Sequence, residues 1–385
     1  MMLTLDAVHE YIHGVCFKTG PPGTVGAETE WLVADPADPA AYIQIERLQA
    51  LIGTRLPGGS LITYEPGGQL ELSSAPQPGL TELHRALELD LASVRNRLGG
   101  LVLVGSGVDP IREPLLQARD ERYRSMSAYF GAAGLPMMCS TASVQVCLDV
   151  GHDRPDAARR WRLAHMLGPI LVAAFANSPR QAGRSTGWKS TRQAIWSRLD
   201  PSRTGAPSDR DGDPAQTWAA YALNARVMSV RAPGGWITDP GMTFREWLAE
   251  GAPTLDDLIF HLSTLFPPVR PRGWYELRMI DAVPEPYWPV PIAVASALFD
   301  DPVATGLAEE AAEPVAGLWR EAAVDGLADR RLARAARCCF AAARAALPRL
   351  GATGLVGVLD DYYERYVERG RCPADEEAFA WTRTS

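Results

Sequence analysis

Ten residues, Tyr64-Glu65-Pro66-Gly67-Gly68-Gln69-Leu70-Glu71-Leu72-Ser73, constrain the fold more than any other stretch of this chain. Gln69, Glu71 and Ser73 share one parity and Leu70 and Leu72 the other, so a strand here buries its leucines and turns its polar groups the opposite way. Pro66 fixes one backbone angle and Gly67-Gly68 can adopt positive φ. The chain can therefore turn tightly just before the strand and hold Glu65 on a bend beside Glu71. The pattern predicts a sheet with an apolar back and an acidic front.

A second acidic pair lies upstream, where Glu28 and Glu30 sit two residues apart in Val25-Gly26-Ala27-Glu28-Thr29-Glu30-Trp31-Leu32-Val33. On a strand both face the same way. Like charges this close repel unless a cation or an arginine neutralises them, and clustered hard oxygens are what Mg²⁺ takes while it also holds nucleotide phosphates. A single Glu-x-Glu is more often a solvated sheet face. Two acidic strands together keep a cation site and a solvated face both open. Two further segments alternate in the same way: Ser143, Gln145 and Cys147 against Val144, Val146 and Leu148, and Glu276 and Arg278 against Leu277 and Met279. One apolar and one polar face per strand suits an antiparallel sheet with a covered back and a working front. That front would carry Glu28, Glu30, Glu65, Glu71, Gln145, Glu276 and Arg278.

The runs EPGGQLELS and ETEW, the segment STASVQVCLD, the step Asn177-Ser178-Pro179 and the late ELRMID resemble the glutamate–cysteine ligases. The likeness is to their plant-like and actinobacterial branch, nearest to the ergothioneine-pathway enzymes of actinobacteria. It runs in order from about Gly26 to about Asp281, and EPGGQ is its most specific piece. The resemblance implies an α+β fold with a glutamine-synthetase-like antiparallel catalytic sheet, one face covered by helices. It implies ATP as co-substrate, two or three Mg²⁺ ions, and L-glutamate and L-cysteine as partners. The product would be γ-glutamylcysteine, for ergothioneine biosynthesis. Family metal ligands match Glu28, Glu30, Glu65, Glu71, Gln145 and Glu276, and Arg278 matches an arginine aimed at the transferring phosphoryl group. Lys189 and Arg192 are the candidate substrate- or nucleotide-binding residues of the loop 180–214.

The chemistry suits these residue types. A carboxylate acylates poorly, so it must become an acyl phosphate before an amine can displace phosphate, and phosphoryl transfer needs positioning and charge neutralisation more than a nucleophilic side chain. Carboxylate-held Mg²⁺ and an arginine supply both.

Other motifs compete. His9-Glu10-Tyr11-Ile12-His13 fits H-E-x-x-H, which on a helix would present two imidazoles to Zn²⁺ and make the chain a metallopeptidase. The alternative is an amphipathic N-terminal helix with Leu5, Val8, Ile12 and Val15 inward. Gly183-Arg184-Ser185-Thr186-Gly187-Trp188-Lys189-Ser190 only approaches a phosphate-binding P-loop, lacking the spacing and a leading strand. Arg192 could grip a carboxylate or phosphate bidentately, or be an ordinary exposed arginine at a helix start. Outside the ligase, then, a zinc peptidase and a catalytically silent nucleotide or metal binder stay open. Within it, another amine acceptor does.

The net charge of −8 argues against nucleic acid or an anionic membrane as partner. No long apolar run is present, so no membrane association is expected. The six cysteines show no C-x-x-C spacing, consistent with reduced thiols in a cytoplasmic protein. At 385 residues the chain fits a single catalytic domain, 1–385, with a helical part from about residue 289. Leucines at 80, 83, 87 and 91 mark a long helix after the EPGGQ strand, and Pro155 to Ala176 marks another. Two Gly- and Pro-rich stretches, 180–214 and 231–253, are expected to be long loops acting as lids.

Overall fold

A computed structural model describes residues 3–21, 23–207, 212–232, 234–251 and 253–376. Its main sheet is formed by β1 (Val25–Ala34), β2 (Leu61–Tyr64), β3 (Leu70–Ser73), β4 (Val102–Val104), β5 (Ser143–Asp149), β10 (Val269–Pro271) and β11 (Trp274–Asp281). Between β5 and β10 lie two small hairpins, β6 (Arg180–Gln181) with β7 (Arg184–Ser185) and β8 (Ser229–Ala232) with β9 (Gly235–Thr238). The strand order is β10-β11-β5-β1-β3-β2, with β4 pairing the far end of β1, and every pairing is antiparallel. This is the expected α+β architecture.

The alternation of the sequence sorts the faces. Trp31, Leu70, Leu72, Val144, Val146, Leu148, Tyr275 and Leu277 are all buried at the back. Each stabilises by roughly 1.5–3 kcal/mol on removal from water. Helices Leu80–Arg97, Arg154–Phe175 and Pro289–Asp300 cover that side. The Tyr275 hydroxyl donates to the Ala157 carbonyl at 2.8 Å, so the one polar atom of that ring is satisfied inside the apolar layer. One apolar cluster runs from Leu3 to Val367 and joins this layer to the helical part after residue 289.

The turn before β3 closes as anticipated. Gly68 donates to the Glu65 carbonyl at 2.8 Å and Glu65 to the Gln69 carbonyl at 2.9 Å. The two glycines have different reasons. Gly68 sits at φ 95°, whereas a Cβ on Gly67 would come within 2.1 Å of the Cys139 carbonyl oxygen. Buried Gln69 donates to the Thr141 carbonyl at 2.8 Å, fixing the turn against the start of β5.

Several expectations change. The first helix, Leu5–Tyr11, passes into a π-helical turn over Ile12–Cys16, whose extra residue rotates the apolar face. Val8, Ile12 and Cys16 are buried, but Leu5 and Val15 are exposed. The helix ahead of β5, Glu121–Ser140, holds Cys139 and Ser140 and breaks at Gly131 with φ 57°. The stretches 180–214 and 231–253 are not open loops where described. They hold the two hairpins and the short helices Thr191–Trp196, Pro201–Thr204 and Phe244–Ala249. Ile195, Leu199, Phe244 and Trp247 are buried in these stretches, an apolar anchoring that their Gly and Pro content concealed. Among the described residues no single helix is long and apolar enough to cross a membrane.

Candidate active site

Strand register assembles the acidic front. Glu30 lies opposite Glu71 across β1 and β3, Glu28 opposite Gln145 across β1 and β5, and Glu276 opposite Cys147 across β5 and β11. Two groups result, in each of which the donor atoms lie within 4.8 Å of one another: Glu30 with Glu65 and Glu71, and Glu28 with Cys147 and Glu276. Glu71 is oriented by Thr63 Oγ1 at 2.6 Å and Ser73 Oγ at 3.0 Å. Glu30 accepts from the Ser143 amide and from Gln145 Nε2, each at 2.8 Å.

Arginines face these acids across one cleft, lined also by Arg122, Tyr123, Met126, Met137, Met138, Trp196 and Phe266. Arg270 Nε donates to Glu276 Oε2 at 2.6 Å, and Arg278 Nη1 reaches the same oxygen at 2.9 Å as well as Gln145 Oε1. Burial alone would raise the Glu276 carboxyl. Arg270 and Arg278 outweigh it and hold that group down at about 2. For Glu28, Glu30 and Glu65 the arginines lower the carboxyl but do not offset burial. Burial pushes Glu28 up to about 8, with Glu276 and Glu71 adding repulsion, and burial with Glu71 raises both Glu30 and Glu65. A cluster of carboxyls that burial and mutual repulsion drive toward protonation is one that a divalent cation relieves.

The donor set therefore fits Mg²⁺: oxygen ligands, two groups on adjoining strands, and a Glu276 Oε1 that is fully buried without a hydrogen bond. Gln145 is present in the site, its amide spanning Glu30 and Arg278.

Arg192 is brought to the cleft by a device invisible in the alternation. Leu277 pairs with Val146 but Ile280 pairs with Val144, so Arg278 and Met279 both lie opposite Gln145. This bulge shifts the parity of β11 and places Asp281 opposite Ser143 on the front face. Asp281 accepts from the Asn177 amide at 3.0 Å, Ser178 Oγ at 2.7 Å and Ser190 Oγ at 2.9 Å. Ser190 caps helix Thr191–Trp196 through the Gln193 amide. The next residues carry Arg192 inward, where Nη2 donates to the Arg278 carbonyl at 2.9 Å while Nε and Nη1 are buried without partners. The exposed-arginine alternative is thereby set aside, since Arg192 is only 3% exposed.

Lys189 is not brought to this cleft. Its ammonium pairs with Asp375 at 2.5 Å, on the side where its own amide bonds the Ala323 carbonyl, so a nucleotide- or substrate-binding role has no geometric support. His9 and His13 form no metal-compatible group with a third ligand among the described residues.

Sequence inspection missed Arg270 and Arg272, although their parity across the β10–β11 turn could have signalled them: register sets Arg270 opposite Glu276. Arg122 carried no local signal. It enters from helix Glu121–Ser140, held by Ser263 Oγ and the Ser263 carbonyl at 3.0 Å each.

Comparison with known proteins gives one consistent answer. The model of glutamate–cysteine ligase family 2 matches residues 24–378. The glutamate–cysteine ligase EgtA of Mycobacterium tuberculosis is 44% identical over 392 aligned positions, covering 96% of this chain and 89% of that protein. A chloroplastic glutamate–cysteine ligase of Brassica juncea is 35% identical over 243 positions, covering 59% of this chain and 47% of that protein. Among solved structures, the glutamate–cysteine ligase of Francisella tularensis in complex with AMP superposes with a TM-score of 0.56 at 11% identity, over 92% of this chain and 84% of that one. At that identity the likeness speaks to the fold.

Proposed function

The chain belongs to glutamate–cysteine ligase family 2, and from that premise we propose that it joins the γ-carboxylate of L-glutamate to the amine of L-cysteine with ATP, giving γ-glutamylcysteine. The product would serve ergothioneine synthesis, by its likeness to the EgtA enzymes. The observation that carries the reading at residue level is the meeting, in one cleft, of carboxyls raised by burial with an arginine, Arg192, whose Nε and Nη1 are buried and unpaired.

In this proposal Glu30, Glu65 and Glu71 hold one Mg²⁺, and Glu28 and Glu276 a second, with Gln145 between them as a neutral donor. Bound Mg²⁺ neutralises phosphate charge and polarises the phosphoryl group. The chain's own residues do the rest. Arg278, fixed by Glu276 and Gln145, presents its remaining donors toward the cleft where charge grows on the transferring phosphoryl oxygens. Arg192 offers Nε and Nη1, single charge-assisted donors on the two sides of its guanidinium, to carboxylate or phosphate oxygens. Glutamate's γ-carboxylate attacks the γ-phosphorus of ATP, ADP leaves, and the cysteine amine then displaces phosphate from the acyl carbon and loses a proton. Met126, Met137, Met138, Trp196 and Phe266 give the cleft one soft apolar wall, suited to a thiol side chain more than to a charged one.

The test is isotopic. Glutamate labelled with ¹⁸O in its γ-carboxylate, incubated with ATP, Mg²⁺ and cysteine, should transfer one label to released phosphate for each γ-glutamylcysteine formed. Unlabelled phosphate would exclude an acyl phosphate. Equal ADP release with serine, 2-aminobutyrate and cysteine would leave a carboxylate–amine ligase whose acceptor is not selected by sulfur.

A further inference from the structure

The second acidic group contains a thiol that Mg²⁺ has no use for. Cys147 lies opposite Glu276 on β11 and opposite Gly26 on β1. Its sulfur and one carboxylate oxygen from each of Glu28 and Glu276 lie within 4.8 Å of one another. Gly26, the neighbour of Cys147 across the strand pair, adds no side chain beside it. Glu276 supplies an independent indication. It is fully buried, Arg270 and Arg278 both bind its Oε2, and Oε1 accepts no hydrogen bond, the nearest cation being Arg272 Nη1 at 3.6 Å. Arg272 is half exposed and leaves that oxygen without a hydrogen bond.

We propose that Glu28, Cys147 and Glu276 form a mixed oxygen–thiolate site that captures a thiophilic divalent cation, of the Zn²⁺ or Cd²⁺ type, in preference to Mg²⁺. Thiolate donors favour softer ions, while Mg²⁺ demands oxygen ligands in near-ideal octahedral geometry. Binding is balanced in protons: the Cys147 S–H bond breaks, its proton goes to solvent together with any proton that Glu28 carries, and the sulfur lone pair forms the metal bond. No electrons are transferred. The consequence is selectivity, since a soft ion bound there occupies the ligands proposed above for the second Mg²⁺. The inference extends that metal assignment and rests on it for Glu28 and Glu276.

The experiment uses the full chain carrying Cys338→Ala, which removes the exposed thiol. Cd²⁺ titration should produce one saturable thiolate-to-metal charge-transfer band, with proton release that includes the Cys147 proton. Adding Cys147→Ser should abolish the band and weaken Cd²⁺ binding at least about tenfold, with Mg²⁺ affinity held within about threefold. Thermal melting checks that this variant folds. In parallel, Glu276→Gln keeps the thiol, so the band should persist at saturation while Cd²⁺ affinity drops at least about tenfold. A band that survives Cys147→Ser, or Cd²⁺ affinity indifferent to Glu276→Gln, overturns the inference. If the chain binds Mg²⁺ but shows no thiol-dependent Cd²⁺ binding, this inference fails and the Mg²⁺ assignment stands. If it binds neither ion, both fail.

Discussion

Divalent-ion binding should be coupled to proton release, and the coupling can be sized from the acid cluster. In the metal-free protein, burial and then the repulsion of Glu276 and Glu71 bring the Glu28 carboxyl to about 8, whereas in the unfolded chain it titrates near 4.5. Below that raised value Mg²⁺ must displace a proton. For one linked proton the apparent affinity scales as the ionised fraction, which between pH 6.5 and 8.5 changes about 25-fold, or ~1.9 kcal/mol. Glu30 and Glu65 are raised too and steepen the dependence further. The folding side has the opposite sign. A carboxyl raised on folding contributes stability that is fully present below its unfolded value and is lost as pH climbs through its folded value. The metal-free protein should therefore lose stability from about pH 4.5 toward 8, and the rise in Tm on adding Mg²⁺ should be larger at pH 8.5 than at 6.5. Calorimetric Mg²⁺ titration in two buffers of different ionisation enthalpy counts the protons directly. Glu28→Gln, which cannot ionise, should flatten log K against pH by about one proton per ion. A wild-type log K that does not vary across this pH range would refute the reasoning, as would an unchanged slope in Glu28→Gln.

Other outcomes follow from the same geometry. Glu30→Gln and Glu71→Gln should each abolish turnover without unfolding the protein, because an amide keeps the volume but weakens Mg²⁺ binding; near wild-type kcat at saturating Mg²⁺ would remove that residue from the ligand set. Arg278→Lys keeps charge and one nitrogen for Glu276 and Gln145, both of which the guanidinium meets through Nη1, but loses the other donors of the planar fork. Its kcat should fall by roughly 10²–10³ with a smaller change in KM for ATP, and a pure KM effect would assign Arg278 to ground-state binding. His9→Ala with His13→Ala should leave ligase activity within a few fold, and its loss in a folded protein would reinstate the H-E-x-x-H motif. Buried His261, whose Nε2 contacts the Ala222 carbonyl at 2.9 Å, is depressed by burial to about 3. Its stabilising neutral form is fully present above about pH 6.5 and is lost as pH falls toward 3, amounting to ~2 kcal/mol by pH 5. Acid denaturation of His261→Gln with the same pH dependence as wild type would contradict this.

Within a strand, alternation is local physics, so the sequence alone determined which side chains of β1, β3 and β5 face the cleft, and the Gly67-Gly68 turn announced itself through residues that few other conformations need. The acids Glu28, Glu30, Glu65 and Glu71 were legible for that reason, and so were the helices at Leu80–Arg97 and Arg154–Phe175, whose apolar spacing repeats over many turns. Pairing between strands is not local. That Glu30 meets Glu71 and Cys147 meets Glu276 is set by register, and register is set by how whole faces pack. The bulge at Arg278 and Met279 reverses the parity that alternation assigns to Asp281, and through Ser178 and Ser190 it delivers Arg192 to the cleft. Lys189, only three residues earlier, turns instead to Asp375, a partner 186 positions away. The helix carrying Arg122 approaches the same cleft from outside the sheet. These choices depend on contacts between segments far apart in the chain, whose free energy no local pattern encodes, so only the tertiary structure could decide them.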